Sequence, residues 1–313
     1  MSPSPVALEK IVASIVAQKG NLQRLIPQYR AAVDARSASD RARSGRLSDL
    51  CWVLAAHLDA IIRLRLFVEQ NFTFIETLGL LAVTRYLFEV LVWLKLLQKD
   101  KRYGLVYYRE LLSTQRSFYA SLKDHLTREA ILLEELYGHE AKTMQELITK
   151  AQSIADPQGR SDAMVDSTAL AMAETDRRAA RSFTIYGDQA RTNGYGFQAH
   201  LVRTKALPPV VKALAELDAA ERSSTEDLRH ANATVKGRWN WKQQAEAAGM
   251  LDEYSFIYGY TSKLLHATPA SLTTDQKNLE AAEMRVFLRY IYVRLLDVIE
   301  MAENQLAAST RIP

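Results

Sequence analysis

The chain has 313 residues, 48% of them hydrophobic and 24% charged, which is ordinary globular composition with enough apolar material for a sizeable core. Only 12 glycines and 8 prolines disfavour an all-β sandwich and favour long helices with short connections. The single cysteine, Cys51, excludes an internal disulfide framework and fits a reducing, cytoplasmic setting, and the net charge of +4 is a mild basic excess rather than a polybasic tail.

From the N-terminus, residues 1–20 carry no basic run ahead of an apolar block and do not read as a signal peptide. Residues 6–32 place Ile11, Ile15, Leu22, Leu25 and Ile26 at helical spacing. The polar, small-residue stretch 36–46 predicts a loop, and 47–70 and 74–99 predict two long apolar helices. The most hydrophobic segment, 72–97, is interrupted by Glu76, Arg85, Glu89 and Lys95. Each such charge near a bilayer centre would cost about 2.5–3.5 kcal/mol, so the segment reads as a buried helix and no membrane association is expected. Helices over 103–126 and 127–154 follow, with Thr127 as an N-cap, and then a loop over 155–167. Shorter helices over 168–185, 190–206 and 210–221 lead to a final long helix over 275–306. No strand alternation is sustained and no internal repeat occurs. The fold class is all-α, a helical bundle of long antiparallel helices with an additional basic helical section. Three sections of what is expected to be one domain cover 1–154, 155–240 (the basic part) and 241–313.

Two places carry chemistry. Arg85 and Glu89 stand four residues apart and share a helical face. Because the rest of that helix is apolar on every side, the pair is expected inside the bundle. It is either a structural ion pair or a polar pocket in which Arg85 holds an anionic group and Glu89 orients it. The second place is the block 239–272, WNWKQQAEAAGMLDEYSFIYGYTSKLLHATPASL. Ser255, Gly259, Ser262 and His266 form a stripe of small residues ending in histidine, with Tyr254, Tyr258 and Thr261 on a neighbouring, core-like face. His266 is a candidate acid or base, or alternatively a C-terminal helix cap. Lys263 adds a cation beside it. Trp239 and Trp241 are packing anchors or stacking platforms for a base.

No histidine has a glutamate three residues before it, so di-iron ligation is not indicated, and no phosphate loop, dinucleotide fingerprint, serine elbow or HExxH occurs. Neither metal nor cofactor is expected. Cys51, beside Trp52 in an apolar helix, is not a nucleophile candidate. Between 177 and 242 basic residues outnumber acidic ones, which suits either a nucleic-acid partner or a solvated face.

The order Arg85-Tyr-Leu-Phe-Glu89, then Trp241, Ala247-Ala248-Gly249-Met250, Tyr254, Tyr258, Ser262, His266 and Ser271, resembles the bacterial helical family numbered 5677 among domains of unknown function. That family is similar to HEPN-type helical bundles, many of which are ribonucleases of toxin and phage-defence systems. The resemblance covers roughly residues 50–300 and implies an α-helical fold. The HEPN ribonuclease motif places an arginine shortly before its histidine; here Tyr260 and Thr261 stand at those positions ahead of His266.

Two functions are therefore expected. One is a metal-independent, ribonuclease-type enzyme with His266, Arg85 and Glu89 catalytic and Trp241, Ser262, Lys263 and Ser271 binding substrate. The other is a non-catalytic interaction or regulatory protein that homo-oligomerises, for which Leu288, Ile291, Leu295, Val298 and Ala302 offer a heptad-like seam.

Overall fold

The computed structural model describes residues 5–70, 72, 76–265 and 279–309. It is all-α, and among the described residues there is no strand and no helix long and apolar enough to cross a membrane. The chain divides into two compact units, one of residues 1–110 with 225–313 and the other of residues 111–224. The second unit thus begins within a helix and ends before residue 240.

The first unit is built from α1 (Pro5–Ala17), α2 (Lys19–Ser44), α3 (Asp49–Gln70), α4 (Thr77–Lys99) and the start of α5 (Tyr103–Gln152). It is completed by α10 (Thr225–Thr234), α11 (Trp241–Ala247), α12 (Leu251–Glu253), α13 (Gly259–Leu265) and α14 (Ala281–Ser309). Helix α4 is central, as its all-round apolar sequence predicts, and packs against α3, α11, α13 and α14. Leu81, Phe88, Leu91 and Leu94 are almost wholly enclosed, and each buried side chain of this size contributes about 1.5–3 kcal/mol of transfer free energy. The stripe Leu288, Ile291, Leu295, Val298 and Ala302 of α14 faces the same core and is buried throughout. It is core and not an intersubunit seam.

The predicted loop over 36–46 is helical up to Ser44. Its polar residues are solvated or paired rather than irregular. The buried Asp40 carboxylate receives the Arg36 guanidinium from one turn earlier and the Ser48 amide. The helix stops only at Gly45, whose φ of 70° turns its N–H back onto the Arg41 carbonyl. On α3, His57 is fully enclosed and stacks on Tyr29 at 5.8 Å. Its Nδ1 lies 2.8 Å from the Val53 carbonyl and its Nε2 has no partner among the described residues. Burial pushes the imidazole down to about 4.

The second unit holds the remainder of α5 with α6 (Pro157–Ala180), α7 (Gly187–Asn193), α8 (Tyr195–Leu201) and α9 (Leu207–Ser223). A π-helical turn, Val202–Ala206, joins the last two. Its core is small, made of Leu126, Ala130, Leu133 and Leu136 of α5 with Ala190, Tyr195 and Ala199. Thr127 does not begin a helix, because α5 is continuous for 50 residues. The Thr127 hydroxyl donates instead to the Lys123 carbonyl. Most of the predicted 155–167 loop is the first half of α6. Asp156 and Pro157, read as breakers, are its N-cap and first residue, and the Asp156 carboxylate accepts from the Gly159 amide at 2.7 Å.

Candidate functional site

The face of α4 that carries Arg85 and Glu89 meets the helical segment beginning at Leu251. Between α12 and α13 this segment widens into a π-helical turn, Tyr254–Tyr258. The extra residue shifts the register, so that Tyr258 and Ser262, one turn apart, both face Arg85. The Arg85 Nε donates to Glu89 Oε1 at 3.0 Å, Nη1 to the Ser262 hydroxyl at 3.2 Å and Nη2 to the Tyr258 hydroxyl at 2.9 Å. The guanidinium carbon also lies 4.3 Å from the Tyr258 ring centroid, within cation–π range. Tyr254 stacks on Tyr258 at 4.8 Å and so backs this contact.

Arg85 and Glu89 are half-buried, with side-chain exposures of 21% and 23%, rather than sealed inside the bundle. Burial raises the Glu89 carboxyl above the ordinary range, with Arg85 pulling the other way. Three of the five guanidinium N–H donors of Arg85 go to described residues. The arrangement is a cation fixed in direction by three oxygens, the kind of group that holds an oxyanion.

Glu89 also lies on the wall of a cavity of about 620 Å³ between α3 and α4, which Trp241 helps to line. Two sequence candidates, Glu89 and Trp241, therefore meet at one space. Trp239 is a packing anchor: its indole stacks on Trp93 at 3.8 Å, and Trp241 stands edge-on to it at 5.4 Å. The backbone of Lys263 belongs to α13, but its side chain, together with His266 and Ser271, lies outside the described residues.

Sequence reasoning missed Tyr258, which it assigned to a core-like face, and it missed Asp59, Arg63 and Tyr107 on the cavity wall. Asp59 and Arg63 carry the same four-residue spacing on α3 as Arg85 and Glu89 do on α4, and that spacing was the available signal. Tyr107 donates to Asp59 Oδ2 at 2.6 Å. A second cavity of about 750 Å³ is lined by Arg36, Arg46 and Arg102, but each of these is held by an acidic neighbour: Asp40, Glu226 with Asp227, and Asp100. The basic stretch 177–242 is split by the boundary at Ser224. Several of its cations are engaged, Arg177 by Glu174, Arg191 by Asp176 and Arg203 by Glu134. Cys51 is buried, and burial pushes its thiol up, away from nucleophile character.

Fold and site together define an all-α protein with an arginine-centred polar cluster beside an aromatic-walled cavity. Comparison of the chain with family models, with curated proteins and with solved structures finds no match.

Proposed function

We propose that the protein is a metal-independent nuclease of ribonuclease type, akin to the HEPN-like bundles that its Arg-xxx-Glu and Tyr-xxx-Tyr-xxx-Ser-xxx-His patterns resemble. The observation that carries this reading is the Arg85 guanidinium, aimed by Glu89, Tyr258 and Ser262 and still open to solvent. A cation held in that way stabilises negative charge developing on a phosphodiester without reorganising. In this reading Arg85 binds the scissile phosphate and Glu89 positions it. His266, four residues beyond Ser262 in the sequence, transfers the proton, and Lys263, Ser271 and Trp241 contact the nucleic acid. The cations of 177–242 would supply sequence-independent attraction to the phosphate backbone. The protein would act within the cytoplasm, in toxin or phage-defence work.

The test is a cleavage assay of wild type, Arg85→Lys and His266→Ala on structured and single-stranded RNA, with and without divalent metal. Cleavage that is lost in both folded variants supports the reading, and wild type inert on every RNA overturns it. A second reading is favoured by one feature: Arg85 already has an ion pair and two hydroxyls inside the fold, as a helix tie would. On that reading the protein is a non-catalytic interaction or regulatory protein that self-associates. Sedimentation of inert wild type as an oligomer would favour it.

A further inference from the structure

We infer that the cavity between α3 and α4 is a nucleobase seat that prefers guanine. The inference rests on the ribonuclease reading of the Arg85 site, and it adds the identity of the base held next to the scissile phosphate.

The space of about 620 Å³ is of ordinary size for a small-molecule site. Its walls are flat and fixed. Trp93, Tyr86, Tyr107 and Trp241 line it. Trp239 stacks on Trp93 from outside the lining and meets Trp241 edge-on, and Phe67 meets Tyr86 edge-on at 4.7 Å. Indoles and phenols held this way need little further ordering to stack on a planar ring.

The polar lining is rich in acceptors. Asp59 receives the Tyr107 hydroxyl on one oxygen, which commits the phenol proton and leaves the other carboxylate oxygen with capacity. Glu89 receives Arg85 on Oε1, which leaves Oε2. Among the bases, guanine alone offers a ring N–H and an adjacent amino group on one edge, a donor pair that Asp59 can take with its uncommitted oxygen and the second lone pair of the oxygen that receives Tyr107. Adenine and cytosine offer an amino group beside an unprotonated ring nitrogen. Uracil offers one N–H between two carbonyls that a carboxylate would repel. A cationic ligand would suit the aromatic walls and the carboxylates, but Arg63 on the same lining disfavours it. Arg63 and the neighbouring Arg85 fit the phosphate that a guanine nucleotide brings.

The test titrates the full-length protein with GMP, AMP, CMP and UMP, read by calorimetry and tryptophan fluorescence. The expected result is that GMP binds roughly tenfold or more tighter than the others, the scale set by a matched pair of hydrogen bonds to a charged group. Asp59→Asn, at an exposed position, should lose that preference while retaining weak binding of AMP. Trp241→Leu, with its fold checked by circular dichroism, should weaken all four. Equal affinity for the four nucleotides, no binding of GMP, or a preference that survives in Asp59→Asn overturns the seat. RNA cleavage by wild type without any GMP preference overturns the seat alone. A GMP preference in a protein that cleaves no RNA supports the seat and overturns the ribonuclease reading.

Discussion

Glu89 in the first unit and Glu129 in the second are placed alike in sequence, each on a long helix with a basic side chain four residues earlier, Arg85 and His125. Their surroundings differ. Glu129 has no exposed side-chain surface, and its two oxygens accept the backbone amides of Ile185 and Tyr186 at 3.0 and 2.7 Å. His125 Nε2 lies 3.2 Å away but is not aligned as a hydrogen bond. Glu129 thereby fixes the turn that enters α7. Glu89 is partly open, bonds only a side chain, and keeps an oxygen beside a cavity. A carboxylate consumed by main-chain donors is a joint, whereas Glu89, bonded to one side-chain cation and left partly open, retains acceptor capacity. Identical spacing does not distinguish the two; the identity of the donors does.

The largest expected effect breaks the joint. Glu129→Ala strands two amides and empties a sealed site, so it should destabilise the second unit by about 3 kcal/mol or more. Chemical denaturation gives the size, and faster hydrogen exchange at Ile185 and Tyr186 gives the place. A loss below about 1 kcal/mol, the range of an ordinary surface change, would show that the turn holds without it.

Next comes a buried group that has no such donors. His57 titrates near 4 when folded and near 6.5 when unfolded, so below pH 6.5 the unfolded chain takes up a proton that the folded chain refuses. Stability is therefore full above pH 6.5 and falls by about 3 kcal/mol as the pH drops towards 4, levelling off below that. Urea denaturation across this window should show the slope in wild type and a reduced slope in His57→Phe. Equal slopes would remove His57 as the cause.

At the open site the effects are smaller. Arg85→Ala should cost about 1–2 kcal/mol at neutral pH, less than for a sealed pair because both partners reach solvent. With its cation gone, burial raises the Glu89 carboxyl further. Protonation then relieves the penalty, and the loss in melting temperature should shrink on acidification. A pH-independent loss would assign the effect to lost packing. Glu89→Gln should change stability by less than about 1 kcal/mol, since burial already disfavours the charge. If it destabilises as much as Glu129→Ala, Glu89 is a joint as well.

The helical class and the central place of α4 were legible because the apolar run of residues 77–94 is broken by charge only at Arg85 and Glu89. The neighbours of that pair were not. Tyr258 and Ser262 share a helical face at any regular pitch, but no local pattern shows that this face meets Arg85 on a helix more than 170 positions earlier. Residues 36–46 and 155–167 are polar enough to read as loops, yet both are largely helical, because polarity marks solvent exposure and not irregular backbone. In the first, Arg36 and Asp40 are a helical pair; in the second, Asp156 and Pro157 are a helix start. Tertiary partners such as Asp59 with Tyr107 lie 48 positions apart, and no local pattern joins them.

The π turn at Tyr254–Tyr258 has the character of a single-residue insertion retained in the chain. Removing one of its exposed residues, Ser255 or Phe256, would let the segment close into a regular α-helix and rotate everything downstream by about 100°. Tyr258 and Ser262 would swing off Arg85 while α12 stayed in place. The reading frame of this one helix therefore decides whether Arg85 gains its two hydroxyl partners beyond the Glu89 pair.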